Sequence, residues 1–118
     1  MIKINIDDFA DQLMITNQML TGNEPSKITK QKLLGCFSSY QYYDSVDQQI
    51  SSIVLSIIKN HCFVDGNKRT ALVALDTLCI INNIKRIVSN DDIDDVIVDF
   101  AAHKYTVDHV AKTLFSLQ

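Results

Sequence analysis

Two apolar patterns of helical period stand on either side of one short polar segment, and this arrangement limits the possible folds more than any other feature. Upstream, Val46, Ile50, Ile53, Val54, Ile57 and Ile58 recur at helical spacing, which puts them on one face of a helix. Downstream, Ala71, Leu72, Val73, Ala74, Leu75, Leu78, Cys79 and Ile80 are apolar nearly all round, the pattern of a helix buried on every side. The spacing predicts one helix from Val46 to about Asn60, with Asp44 or Ser45 as cap. It predicts another from about Asn67 to Ile81, terminated by Asn82-Asn83 and forming the buried centre. With 3 glycines and 1 proline in 118 residues, the chain has little turn chemistry for a many-stranded sheet.

The remaining segments repeat the theme. Ile6, Phe9, Ala10, Leu13 and Met14 share a face of a first helix over Asp7–Leu20, capped by Asp7 or Asp8 and stopped by Thr21-Gly22-Asn23-Glu24-Pro25. A shorter second helix starts after Ser26 and uses Ile28, Leu33, Leu34 and Phe37. Ser38–Ser45 is tyrosine-rich and lacks helical period, so an extended loop or small hairpin is expected. Its Tyr40, Tyr42 and Tyr43 either pack on the surface or present a recognition edge. Ile84–Val88 reads as a short extended link. Asn90 is expected to cap a fifth helix with Ile93, Val96, Ile97, Phe100 and Ala101 inward. Thr106 is expected to cap a sixth with Val107, Val110, Ala111, Leu114 and Leu117 apolar. The expectation is an all-α fold, a compact six-helix bundle forming a single domain over residues 1–118.

Composition narrows the class further. A net charge of −3 gives no blanket attraction to nucleic acid or anionic lipid, so direct nucleic-acid binding is not expected. The amino terminus turns acidic at Asp7-Asp8, too early for a secretory signal, and no apolar run reaches membrane-spanning length. Cys36, Cys62 and Cys79 are odd in number and lack metal-ligand spacing, which reads as reduced thiols in a cytoplasmic protein, Cys62 being a small apolar filler.

The polar segment between the two strongest helices is His61-Cys62-Phe63-Val64-Asp65-Gly66-Asn67-Lys68-Arg69-Thr70. The first amides of the helix it enters lack intrahelical partners and carry the positive end of the dipole. Gly66 lets the backbone approach a ligand, and amides from Gly66 to Arg69 can form an anion-binding concavity. Lys68 and Arg69 add cationic contacts to phosphate oxygens. Asp65 is a hard oxygen ligand suited to magnesium, Asn67 can orient a phosphate or cap the helix, and Phe63 is an apolar anchor. His61 can take a proton from a hydroxyl near neutral pH. Each residue alone has an ordinary structural reading, and their coincidence within nine positions is what points to a site for a metal-bound phosphate. A P-loop reading fails because His61 stands at the required upstream glycine. Asp91, Asp92, Asp94 and Asp95 lack EF-hand spacing and read as first-turn acids. His103 and His109 have no metal-ligand spacing.

The run from His61 to Arg69 resembles the signature of the Fic/Doc family, H-x-F-x-[DE]-G-N-x-R, and its continuation Lys-Arg-Thr-Ala-Leu is similar to the death-on-curing (Doc) branch. The resemblance implies a Fic/Doc-like bundle with a short flap loop or hairpin, Ser38–Ser45, holding a target segment through Tyr40, Tyr42 and Tyr43. It implies His61 as catalytic base, Asp65 as Mg2+ ligand, and Gly66, Asn67, Lys68 and Arg69 as ATP phosphate contacts. Lys68 stands where the nucleotidyl-transferring branch commonly has glycine, and Leu72 where it has a second arginine. The Doc-like pattern implies a protein Ser/Thr kinase that phosphorylates a translation elongation factor, the toxin of a toxin–antitoxin pair held by a small cognate antitoxin in trans. The only glutamate, Glu24, has Leu20 four positions before it, so the family's internal inhibitory motif is not expected. The alternatives are a Fic-type protein adenylyltransferase (AMPylation) and a catalytically silent binding module.

Overall fold

The computed structural model describes the backbone of residues 1–22 and 27–116, with the side chains of residues 27–29 and 37 left out. Among the described residues six α-helices follow one another: α1 (Ile6–Thr21), α2 (Lys27–Phe37), α3 (Val46–Lys59), α4 (Asn67–Ile81), α5 (Ile93–Ala102) and α6 (Val107–Phe115). A 3-10 turn, Ser38–Tyr42, joins α2 to α3, and no strand occurs among the described residues. The fold is all-α. The stop at Asn23–Pro25, Glu24, Ser26, the side chains of Ile28 and Phe37, and Leu117 lie outside the described residues.

Capping chemistry sets most of the boundaries. Ser45 accepts from the amide of Gln48 and Thr106 from that of His109, starting α3 and α6 where the sequence placed them. Gly22, in the left-handed region at φ 79, ends α1. Two cap assignments are corrected. Asn5, not Asp7 or Asp8, caps α1 by accepting from the Asp8 amide. Asn90 does not cap α5, because its Oδ1 accepts from Arg86 Nη2 at 2.7 Å and the helix starts after Asp92.

The central helix is α3 rather than α4. It packs against α2, α4, α5, α6 and the 3-10 turn, while α1 packs on α2 and α4. Ile50, Ile53, Val54 and Ile57 are wholly buried on it, together with the polar Gln49, Ser51 and Ser52. Gln49 can be buried because its amide is satisfied: Oε1 accepts from the Ile2 amide and Nε2 donates to the Tyr43 carbonyl. Helix α4 buries Thr70, Ala71, Ala74, Leu75, Leu78 and Cys79, but Ile80 and Ile81 at its end are exposed. An all-apolar stretch is no proof of burial, since folded surfaces always keep apolar area.

Ser38–Ser45 is neither extended nor a hairpin. The 3-10 turn packs on α2 and α3, closed by a bond from the Tyr43 amide to the Tyr40 carbonyl at 3.2 Å. Tyr40 packs against the core, Tyr43 is half-buried and Tyr42 is exposed. The reduced-thiol reading is corrected as well. Cys36, at the end of α2, and Cys62, in the turn after α3, are joined by a disulfide with a Cα–Cα distance of 6.6 Å. Twenty-six positions separate them, so only the packing of α2 on α3 reveals the pair. Cys79 stays a buried free thiol, its pKa pushed up to about 11 first by burial and then by Asp76. No helix among the described residues is long and apolar enough to cross a membrane.

Candidate active site

The turn between α3 and α4 is built by two residues in the left-handed region. The Asn60 amide closes the last turn of α3 on the Ser56 carbonyl. His61 then follows at φ 48, a conformation that histidine visits more readily than most residues but at a cost of about 1–3 kcal/mol. The reversal leaves His61 exposed while the next two residues, Cys62 and Phe63, dive into the core. Phe63 thus anchors the loop as its sequence position suggested.

Gly66 is the second such residue, at φ 72, and forms the amino cap of α4 without a side chain. A Cβ there would lie 2.6 Å from Thr21 Cγ2 and 3.2 Å from Asn17 Nδ2. The missing side chain therefore admits the end of α1, and this packing, with the positive φ, is the physical reason for glycine.

Asn67 lines the cavity and ties its side-chain amide to Phe63. Its Oδ1 accepts from the Phe63 amide and its Nδ2 donates to the Phe63 carbonyl, both at 2.9 Å. This two-way clasp closes the Phe63–Asn67 loop and uses one of the two Nδ2 donors, while the backbone N–H of Asn67 opens α4. The Asp65 Oδ1 accepts from the Gly66 amide at 2.7 Å. Its second oxygen accepts no hydrogen bond from the described residues, and the side chain is exposed. The first intrahelical bond of α4 runs from the Thr70 amide to the Gly66 carbonyl, which leaves the amides of Asn67, Lys68 and Arg69 without helical acceptors.

These groups surround a surface cavity of about 540 Å³ lined by His61, Asp65, Gly66, Asn67, Lys68 and Arg69, together with Ile58, Lys59, Val64 and Ala101. Three cations and one carboxylate meet here on a chain of net charge −3. That local excess, beside the amino end of a 15-residue helix, favours an anion. Arg69 Nη1 donates to the Leu20 carbonyl at 3.3 Å, which fixes the guanidinium at the carboxyl end of α1. Tyr40, Tyr42 and Tyr43 do not line this cavity.

Two residues of the site were missed in the sequence. Asn17 is buried on α1 and its Nδ2 donates both to the Asp65 carbonyl at 2.8 Å and to Thr70 Oγ1 at 3.0 Å. The signal was present: Phe9, Leu13 and Asn17 recur every four residues, and an amide on an apolar stripe needs partners. Lys59 had no signal beyond being two residues before His61.

The donor set suits a magnesium polyphosphate. Magnesium is usually held by one or two carboxylates while substrate phosphates and water complete its shell, and Asp65 offers one carboxylate beside three cations. A cavity of about 730 Å³ between the end of α4 and residues 84–90 is larger. It is poorer in chemistry, because its Arg86 is spent on Asp76, the Val88 carbonyl and Asn90. A third cleft, about 520 Å³, shares Lys68 and Arg69 with the motif cavity and is otherwise mostly aliphatic, with Leu20, Leu72, Val73, Ile97 and Val98.

Neither curated proteins nor solved structures give a significant match to the chain. A model of the Fic/DOC family matches residues 16–79, more than half of its length. That span includes the buried Asn17 of α1 and the whole His61–Arg69 run and reaches Cys79 near the end of α4. On this match, the chain belongs to the Fic/DOC family.

Proposed function

We propose that this chain is a Doc-like protein kinase that transfers the γ-phosphate of ATP to a Ser or Thr hydroxyl of a translation elongation factor. In this reading it is the toxin of a toxin–antitoxin pair, acts in the cytoplasm and is restrained by a small antitoxin in trans. The single observation that carries the reading is the convergence of His61, Asp65 and the Gly66–Arg69 helix start on one cationic cavity.

Bound Mg-ATP supplies the electrophilic phosphorus and part of the charge neutralisation. The chain supplies the rest. Lys68, Arg69 and the free first-turn amides of α4 hold phosphate oxygens, and Asp65 offers its second oxygen to the ion. His61, on the exposed side of the turn, accepts the proton of the incoming hydroxyl as the new oxygen–phosphorus bond forms and ADP leaves. Phosphoryl transfer is favoured over nucleotidyl transfer by Leu72. Where the nucleotidyl-transferring branch has an arginine, this chain has an aliphatic residue lining a largely apolar cleft. Val64, which lines the cavity, is 96% exposed and offers an apolar contact beside it.

The test is the intact mass of an elongation factor after incubation with the protein and Mg-ATP. A gain of one phosphate is expected. A gain of one nucleotidyl group would replace kinase by adenylyltransferase, and no gain in any protein of a cell extract would leave a silent binding module. His61→Ala is expected to slow transfer by about a hundredfold or more, and an unchanged rate would remove His61 from its role as base.

A further inference from the structure

The carboxyl end of α5 faces the motif cavity, and this is the wrong polarity for an anion site. Ala101 lies in the last turn of α5 and lines the cavity. The last carbonyls of a helix carry the negative end of its dipole, about half an elementary charge, and lack helical donors. Left bare, they would repel the phosphate oxygens that α4 attracts from the other side.

Lys59 lies between the two. It is the last residue of α3, half-buried, and its Nζ donates to the Ala101 carbonyl at 2.9 Å. Its ammonium thus sits where the carboxyl ends of α3 and α5 come together. Lys68 and Arg69, by contrast, are exposed at the start of α4. A lysine ammonium has three donors, so the bond to Ala101 leaves two for the cavity.

We propose that Lys59 is a positioning residue of this site, cancelling the negative end of α5 so that a polyphosphate can lie against it. The proposal rests on the reading of the cavity as a polyphosphate site and adds to it a residue outside the His61–Arg69 run. Its contribution is mainly charge. A neutral side chain that keeps the hydrogen bond to Ala101 preserves the fold and loses the effect, and another cation restores it.

Calorimetric titration with Mg-ATP, and with inorganic tripolyphosphate as a probe free of nucleoside contacts, tests this on four proteins: wild type, Lys59→Gln, Lys59→Met and Lys59→Arg. Lys59→Gln is expected to weaken both ligands about five- to thirtyfold, the range of a partly buried cation at a helix carboxyl end. Lys59→Arg is expected to stay within about threefold of wild type, and the gap between wild type and Lys59→Gln to narrow as salt is raised. Wild-type affinity in Lys59→Gln overturns the proposal and leaves the polyphosphate reading standing. So does a loss of thermal stability in Lys59→Met without any loss of affinity in the folded protein. Failure of the wild type to bind either probe overturns both readings together.

Discussion

Replacing Gly66 by alanine tests the geometry of the site at its tightest point. Two independent costs follow from the structure. The φ of 72 would be occupied by a residue with a Cβ, which costs about 1–2 kcal/mol. The new Cβ would also stand 2.6 Å from Thr21 Cγ2, nearer than atoms pack, with Asn17 Nδ2 at 3.2 Å on the other side. Forcing a methyl group into such a space costs a further 1–3 kcal/mol, roughly. The sum is about 2–5 kcal/mol, a large share of the stability of a domain this size.

Gly22 is the internal control. Its φ of 79 imposes the same conformational cost, yet no atom of the described residues lies within 4 Å of the position its Cβ would take. Gly22→Ala is therefore expected to cost about 1–2 kcal/mol only. Any gain from a stiffer unfolded chain is common to both variants and cancels between them. Urea unfolding followed by circular dichroism reads the difference, with slopes of about 1–3 kcal/mol per M. Adding Thr21→Ser to Gly66→Ala removes the clashing methyl while keeping the hydroxyl that donates to the Asn17 carbonyl, and is expected to recover the second cost but not the first. Equal losses for Gly22→Ala and Gly66→Ala, or no recovery in the double variant, would refute the claim that Gly66 is there to admit α1.

Two other perturbations have defined outcomes. Reducing the Cys36–Cys62 disulfide opens a loop closed across 26 positions, so stability is expected to fall by about 3–4 kcal/mol on the chain-entropy account. Melting temperature with and without a dithiol reads this, and an unchanged value would refute it. Ser51 carries the hydroxyl that, among the described residues, is buried without a hydrogen-bond partner. Ser51→Ala is expected to raise stability by about 1 kcal/mol, and a loss of that size in a urea titration would show that the hydroxyl has a partner after all.

How much of this was legible in the sequence depends on the range of the interaction. Helix identity follows from local periodicity, so all six helices were legible, and Ser45, Thr106 and the limits of α4 fell where expected. Failures begin where a distant residue decides. Asn90 was available as a cap by sequence, but Arg86 takes its side chain. Helix α4 looked central by hydropathy, whereas α3 packs against α2, α4, α5, α6 and the 3-10 turn, and its Gln49 can be buried there because it finds partners in Ile2 and Tyr43. Ser38–Tyr42 looked extended from its tyrosines, but the turn is set by packing on α2 and α3. The disulfide needed the same tertiary knowledge. Within the turn, the residue types were legible while two packing roles were not: Asn67 bonds to Phe63 through its side-chain amide, and Gly66 makes room for α1.

These reassignments divide the His61–Arg69 run into two sets with different tolerances. Phe63, Gly66 and Asn67 shape the turn, and from α1 Asn17 fastens it through Asp65 and Thr70. A change in any of them moves every group of the cavity at once, so affinity and stability should fall together. His61, Asp65, Lys68 and Arg69 are exposed, and exposed side chains contribute little to folding. Changes there should alter chemistry or binding and leave the melting temperature nearly untouched. Lys59 belongs to neither set alone, since it is half-buried and bonded to α5 yet faces the cavity. Measuring stability and polyphosphate affinity on one variant from each set therefore separates shape from charge. A site built as described must return two patterns with Lys59 between them, whereas an inert turn would return only stability losses.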